Sequence, residues 1–130
     1  MTDGKTTGLN GSEWRIMEYL WTDSPRTVMQ IVNRLKGETG WAKSTITTLV
    51  GRMEAKGLLY YKDGGKAREY YPAITREEAA LTETESLLSR VYKGSVGLMM
   101  HTLVENKPLT REEIDELYAI LHKAEEAHYD

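Results

Sequence analysis

Apolar residues recur at helical spacing almost from the start of the chain. Trp14, Met17, Leu20 and Trp21 fall three and four residues apart, so they share one stripe of a helix that must face a core. Asn10 can cap this helix, with Glu13 three residues on reaching back to the cap. Thr22-Asp23-Ser24-Pro25 stops it. A second capping pair, Thr27 and Gln30, opens a short helix with Val28, Ile31, Val32 and Leu35 as its buried stripe, and Lys36-Gly37-Glu38-Thr39-Gly40 is expected to end it in a turn. A third helix is predicted from about Ala42 to Lys56. Ile46, Leu49, Val50 and Met53 lie on its buried side, and Gly57 is the left-handed residue that closes it.

The period then changes. Leu58-Leu59-Tyr60-Tyr61-Lys62 and Ala67-Arg68-Glu69-Tyr70-Tyr71 are strand-like runs around Asp63-Gly64-Gly65-Lys66, which predicts a β-hairpin with Lys62, Lys66 and Arg68 at its tip. After Pro72 helical spacing returns. Thr75-Arg76-Glu77-Glu78 starts a segment to about Lys93 with Ala80, Thr84, Leu87 and Val91 on one stripe. Gly94 and Gly97 interrupt an apolar stretch from Val96 to Val104. Thr110 with Glu113 caps a last helix in which Ile114, Leu117, Leu121 and Ala124 repeat near heptad spacing. This half has little of its own to bury those stripes against, so a second copy of the chain is expected over Leu87, Val91, Leu98, Ile114, Leu117 and Leu121.

The ordered set, three helices and then a hairpin with a basic tip, matches a winged helix-turn-helix. The expected fold is mainly α: a flexible N-terminus over 1–8, a winged-helix DNA-binding domain over 9–73 and a helical dimerisation domain over 74–130.

Net charge is −3, which by itself argues against a phosphate-rich partner. Its distribution reverses that reading. Residues 1–72 carry 11 Lys and Arg against 8 Asp and Glu, whereas residues 73–130 carry 6 against 12, so only the first half could face phosphates. The absence of cysteine excludes disulfides, thiolate metal sites and cysteine nucleophiles together. With no apolar run near bilayer length and no hydrophobic stretch in the first residues, a cytoplasmic location is expected.

In a winged helix the third helix enters the major groove and the wing lies along the backbone. The residues expected at DNA are therefore Lys43, Ser44, Thr45, Thr47, Thr48 and Arg52 on the third helix, and Lys62, Lys66 and Arg68 on the wing, at phosphates. A solvated helix face and a charged hairpin edge that discourages strand pairing are the competing readings of the same residues. Trp14 and Trp21 are read as core rather than as a stacking platform for single strands, and Trp41 stands at the entry of the third helix. His101, His122 and His128 lack metal-ligand spacing, and Glu77-Glu78 and Glu112-Glu113 sit in first helical turns, where negative charge meets the helix dipole. No catalytic constellation, metal or cofactor is expected, and the chain is read as a non-enzyme. A winged-helix protein-interaction module without specific DNA binding is the alternative.

The chain also resembles the penicillinase repressor family of bacterial winged-helix regulators. The resemblance is carried by GSEWRIMEYLW in the first helix, GWAKSTITTLVGRMEAKGLL across the third, and GGKAREYYPAITREEA from the wing onward, within about residues 9–125. It implies a homodimer with interlocking C-terminal helices, bound to a two-fold symmetric double-stranded operator and repressing until a signal releases it. Copper-responsive members use a cysteine-rich tail, which this chain lacks. β-Lactam-responsive members are cut in the dimerisation domain at an Asn-Phe type bond under the control of a membrane-bound sensor protease. Here the corresponding pair is Thr102-Leu103, so the expected residues are missing.

Overall fold

The structure, a computed structural model, describes residues 8–129. Of the expected flexible stretch 1–8, only Gly8 falls within it. Six helices and one hairpin follow in order: α1 (Gly11–Thr22), α2 (Val28–Thr39), α3 (Lys43–Ala55), β1 (Leu59–Asp63), β2 (Arg68–Pro72), α4 (Arg76–Tyr92), α5 (Val96–Asn106) and α6 (Arg111–Tyr129). The architecture is mainly α with a two-stranded antiparallel wing, as the sequence predicts. The chain divides into two compact units, one up to Leu87 and one from Leu88, the division falling within α4.

The core of the first unit is built from Ile16, Met17 and Leu20 of α1, Ile31, Val32 and Leu35 of α2, and Ile46, Val50 and Met53 of α3. Leu58, Leu59, Tyr70 and Ala79 close it. One expectation changes in depth, and one core residue is added. On α1 the fully buried line includes Ile16, while Trp14 and Trp21 stand half-buried at its margin, edge to face with ring centroids 5.5 Å apart. An indole is too bulky for the gap between short helices, and its N–H needs a partner. That of Trp21 donates to the Ile74 carbonyl at 2.9 Å. On α4 Ala79 is also buried in the core, off the stripe of Ala80, Leu87 and Val91, which is exposed.

The helix starts follow local chemistry. Asn10 with Glu13, and Thr27 with Gln30, form reciprocal capping boxes. Thr75 with Glu78 and Thr110 with Glu113 exchange the same pair of bonds. The backbone N–H of Thr110 holds the Glu113 carboxyl below the usual carboxylate range, so this cap works at neutral pH and is lost on acidification through that lowered value. At the end of α2 the structure departs from expectation: the helix continues through Gly37 to Thr39 and stops at left-handed Gly40. A glycine inside a helix costs only about 1 kcal/mol against alanine, and Thr39 supports the last turn by donating its hydroxyl to the Leu35 carbonyl.

Two long-range ties hold the three-helix unit to its wing and to its own ends. Arg26, between α1 and α2, exchanges both backbone hydrogen bonds with Tyr70 at 2.8 and 3.1 Å, so the wing is paired to the helices. Glu13 is almost fully buried. One carboxylate oxygen accepts the Asn10 N–H at 3.0 Å and the other meets the Lys56 ammonium at 2.6 Å, joining the first turn of α1 to the end of α3. Directly beyond Lys56 the chain must reverse, and it does so at Gly57, whose φ of 82° is costly for any residue with a Cβ.

The second unit is different in kind. Among the described residues, none after Ala79 is fully buried. Val104 of α5, Leu109 of the connection that follows it, and Ile114, Leu117, Tyr118 and Leu121 of α6 line an apolar groove of about 310 Å³.

Candidate nucleic-acid interface

All six residues expected to read DNA are exposed on α3, while Ile46, Val50 and Met53 are buried, with Leu49 half-buried at the border. The burial of one side therefore fixes what the other side presents. Ser44, Thr45, Thr48 and Arg52 gather with Trp41, Leu49 and Ser12 around a shallow concavity of about 340 Å³. Ser44, Thr48 and Arg52 follow one another at four-residue spacing, so they rise along a single ridge. Lys43 and Thr47 lie outside this concavity. The Thr47 hydroxyl donates to the Lys43 carbonyl at 2.9 Å, so toward an outside group it is left as an acceptor.

Ser12 was not legible as part of this surface, because it belongs to α1 and reaches the concavity only through the packing of α1 on α3. Trp41 is half-buried and packs against the core on one side while lining the concavity on the other. The start of α3 is also unusual within the chain. Ala42 offers no side-chain cap, so first-turn N–H groups and the positive end of the helix dipole stay open.

On the wing, Lys62, Lys66 and Arg68 are exposed. The register places Tyr60 opposite Tyr71, Tyr61 opposite Tyr70, Lys62 opposite Glu69 and Asp63 opposite Arg68. The Arg68 guanidinium donates a hydrogen bond to the side chain of Tyr70, and this, followed by attraction from Tyr61, raises its pKa further above the ordinary value, so it carries a full positive charge at any working pH.

Other sequence candidates stay apart from this face. His101 lies 3.3 Å from Glu105 and His122 lies 3.5 Å from Glu126, each pair one turn apart on an exposed helix face. Among the described residues no three of His, Asp and Glu gather as a bound metal ion would require. Thr102 and Leu103 fall in the middle of α5, where the Thr102 carbonyl accepts the Asn106 amide at 2.8 Å. Among the described residues no helix is long and apolar enough to cross a membrane.

A tri-helical core that presents the polar side of its third helix, with a basic hairpin tied beside it, defines a winged-helix DNA-binding protein. Comparison with known proteins makes the placement narrower. The profile of the penicillinase repressor family matches residues 9–123, and the chain belongs to that family of transcriptional repressors. The methicillin resistance regulatory protein MecI of Staphylococcus aureus (strain N315) is 28% identical over 121 residues, covering 93% of this chain and 98% of that one. The penicillinase repressor of Bacillus licheniformis is 29% identical over 119 residues, covering 92% and 93%. The DNA binding domain of the repressor BlaI, solved in solution, covers 60% of this chain and 85% of its own at 22% identity, with a TM-score of 0.46.

Proposed function

We propose that the chain is a cytoplasmic, homodimeric repressor that binds a two-fold symmetric operator and acts by occupying DNA rather than by catalysis. The observation that carries this reading is the exposed ridge of α3, whose short hydroxyls and one guanidinium are the donors and acceptors a major groove can use. The uncapped start of α3 adds N–H groups suited to a phosphate, and the wing cations Lys62, Lys66 and Arg68 would meet backbone phosphates. Family membership supports repression. The relatives named for methicillin resistance regulation and penicillinase repression point the same way.

The test is a selection of genomic DNA fragments by the purified protein at low and high salt, followed by sequencing. A two-fold symmetric motif whose binding falls steeply with salt is expected, each phosphate contact adding about 0.9 to the log–log slope. No enrichment above background would transfer the assignment to a protein-interaction module. Arg52→Ala is expected to cost specific binding about 1–3 kcal/mol, and Lys43→Ala to weaken it as well, while Arg68→Ala weakens binding to all sequences nearly equally. Operator affinity unchanged by both α3 substitutions would remove that face from the reading surface.

Release is the family-based part of the proposal. A signal acting through a membrane-bound sensor protease would cut at Thr102-Leu103, and because this bond lies within α5 the helix must open before a protease can take it in extended form. Mass spectrometry of the protein from derepressed cells would then find two fragments meeting at that bond. An intact chain under derepression would rule this route out.

A further inference from the structure

The wing holds its strand cations differently from four other arginines of the same unit. Arg15, Arg26, Arg34 and Arg76 each lie against a carboxylate, of Glu38, Asp23, Glu38 and Glu18 in turn, even though Arg26 and Arg34 also face the Tyr19 ring and Arg76 the Trp21 ring. Arg68 instead has its guanidinium carbon 4.1 Å from the centre of the Tyr61 ring, and Lys62 has its ammonium 5.2 Å from the centre of the Tyr71 ring. A carboxylate cancels the charge it binds. An aromatic face attracts the cation and leaves its charge intact.

Carboxylates stand at the positions where they could have competed. Asp63 is directly across from Arg68 and Glu69 directly across from Lys62, the arrangement in which opposite charges usually pair on a sheet. Among the described residues neither pair comes within ion-pair distance. The register supplies the alternative partner: Tyr61 is the diagonal neighbour of Arg68, and Tyr71 that of Lys62, within reach of a long side chain. The turn supplies a place for Glu69. A Cβ at Gly64 would stand 2.7 Å from both Cγ and Cδ of Glu69, so the glycine keeps open the space in which that side chain packs.

The rings are themselves fixed. Tyr71 stacks on Tyr60 with centroids 5.1 Å apart and planes 6° from parallel, and Tyr61 leans on buried Tyr70 at 5.7 Å. Because successive strand residues point to opposite faces, the Tyr61–Arg68 pair occupies one face of the ribbon and the Tyr71–Lys62 pair the other.

We infer that Tyr61 and Tyr71 are positioning residues for DNA binding, holding Arg68 and Lys62 ready and un-neutralised on the two faces of the wing for phosphates on either side. This rests on the DNA-binding reading. A cation already restrained by a ring has less side-chain freedom to lose when it meets a phosphate, so the ring contributes to affinity without touching DNA.

The experiment titrates the full-length protein with a short, labelled, mixed-sequence DNA duplex over a range of salt. Tyr61→Leu is expected to weaken binding about three- to tenfold and to make the salt slope shallower, toward that of Arg68→Ala. Tyr61→Phe keeps the ring and should bind like the unsubstituted protein. Added to Arg68→Ala, Tyr61→Leu should cost nothing further, and the Tyr71 and Lys62 pair should behave in the same way. An equal loss from Tyr61→Leu in both backgrounds, or a loss from Tyr61→Phe as large as from Tyr61→Leu, would overturn the inference. A separate readout needs no substitution: in the free protein the Arg68 δ-methylene protons should be shifted upfield by the Tyr61 ring current, and random-coil shifts there would overturn it too. Absence of salt-dependent binding by the unsubstituted protein would instead be a failure of the DNA-binding reading, and would remove the inference with it.

Discussion

Glu13→Ala is expected to lower the unfolding free energy of the winged-helix unit by about 3 kcal/mol, read as a fall in the midpoint of urea denaturation. The carboxylate has two tasks, one oxygen accepting the Asn10 N–H and the other the Lys56 ammonium, and its side chain is only 3% exposed. Losing the capping acceptor costs about 1 kcal/mol. Breaking a buried ion pair costs about 3–5 kcal/mol when the surviving charge stays buried. Lys56 keeps 31% of its side-chain surface exposed and can turn to water, which holds the total near the lower end. Glu13→Gln retains the capping acceptor but not the ion pair and should lose about two-thirds as much. Replacing the pair together, Glu13→Leu with Lys56→Met, should recover most of the ion-pair loss, because no unpaired charge is left. A change below about 1 kcal/mol for Glu13→Ala would show that the pair contributes little. Because this contact fixes the end of α3 against the start of α1, the same substitution is also expected to loosen the helix that presents the exposed polar ridge.

That pair marks where sequence reasoning reaches its limit. Asn10 with Glu13 and Thr27 with Gln30 could be read from the chain because a capping box is satisfied within four residues, and the wing could be read because its strands are short and its turn is glycine-rich. Glu13 with Lys56 joins residues 43 apart in sequence, and no local rule couples them. Ser12 was missed for the same reason. Trp14 and Trp21 fitted the helical period but not the space, so the period gave their side of α1 correctly and their depth wrongly. Ala79, which packs on the core, was not singled out, because the face of α4 that meets the core is chosen by the path of the chain after the wing, which periodicity does not contain. The six α3 residues were legible as an exposed polar face. The tyrosine–cation pairs were not, although adjacent tyrosines on both strands, Tyr60-Tyr61 and Tyr70-Tyr71, do place a ring on each side of the ribbon.

Leu117→Asp with Leu121→Asp is expected to give a monomer whose affinity for a two-fold symmetric site is lower by a factor on the order of 10²–10⁴, since joining two half-site contacts raises avidity by that much without any new contact. The reasoning starts from what the second unit does not bury. Leu121 is 62% exposed and Leu117 half-buried in an apolar groove that no described residue of the unit closes. Leucines four residues apart on α6, one exposed and one at the groove, are the kind of seam a second copy covers. Two carboxylates placed there would meet two more across the symmetry axis, adding like-charge repulsion to lost burial. The α3 ridge and the wing belong to the other unit, so binding to a single half-site should be nearly unchanged. Sedimentation equilibrium reads the assembly, and parallel titrations of one- and two-half-site duplexes read its consequence. A dimer that survives both substitutions would place the interface elsewhere. An equal loss on both duplexes would mean that the winged-helix unit had itself been damaged.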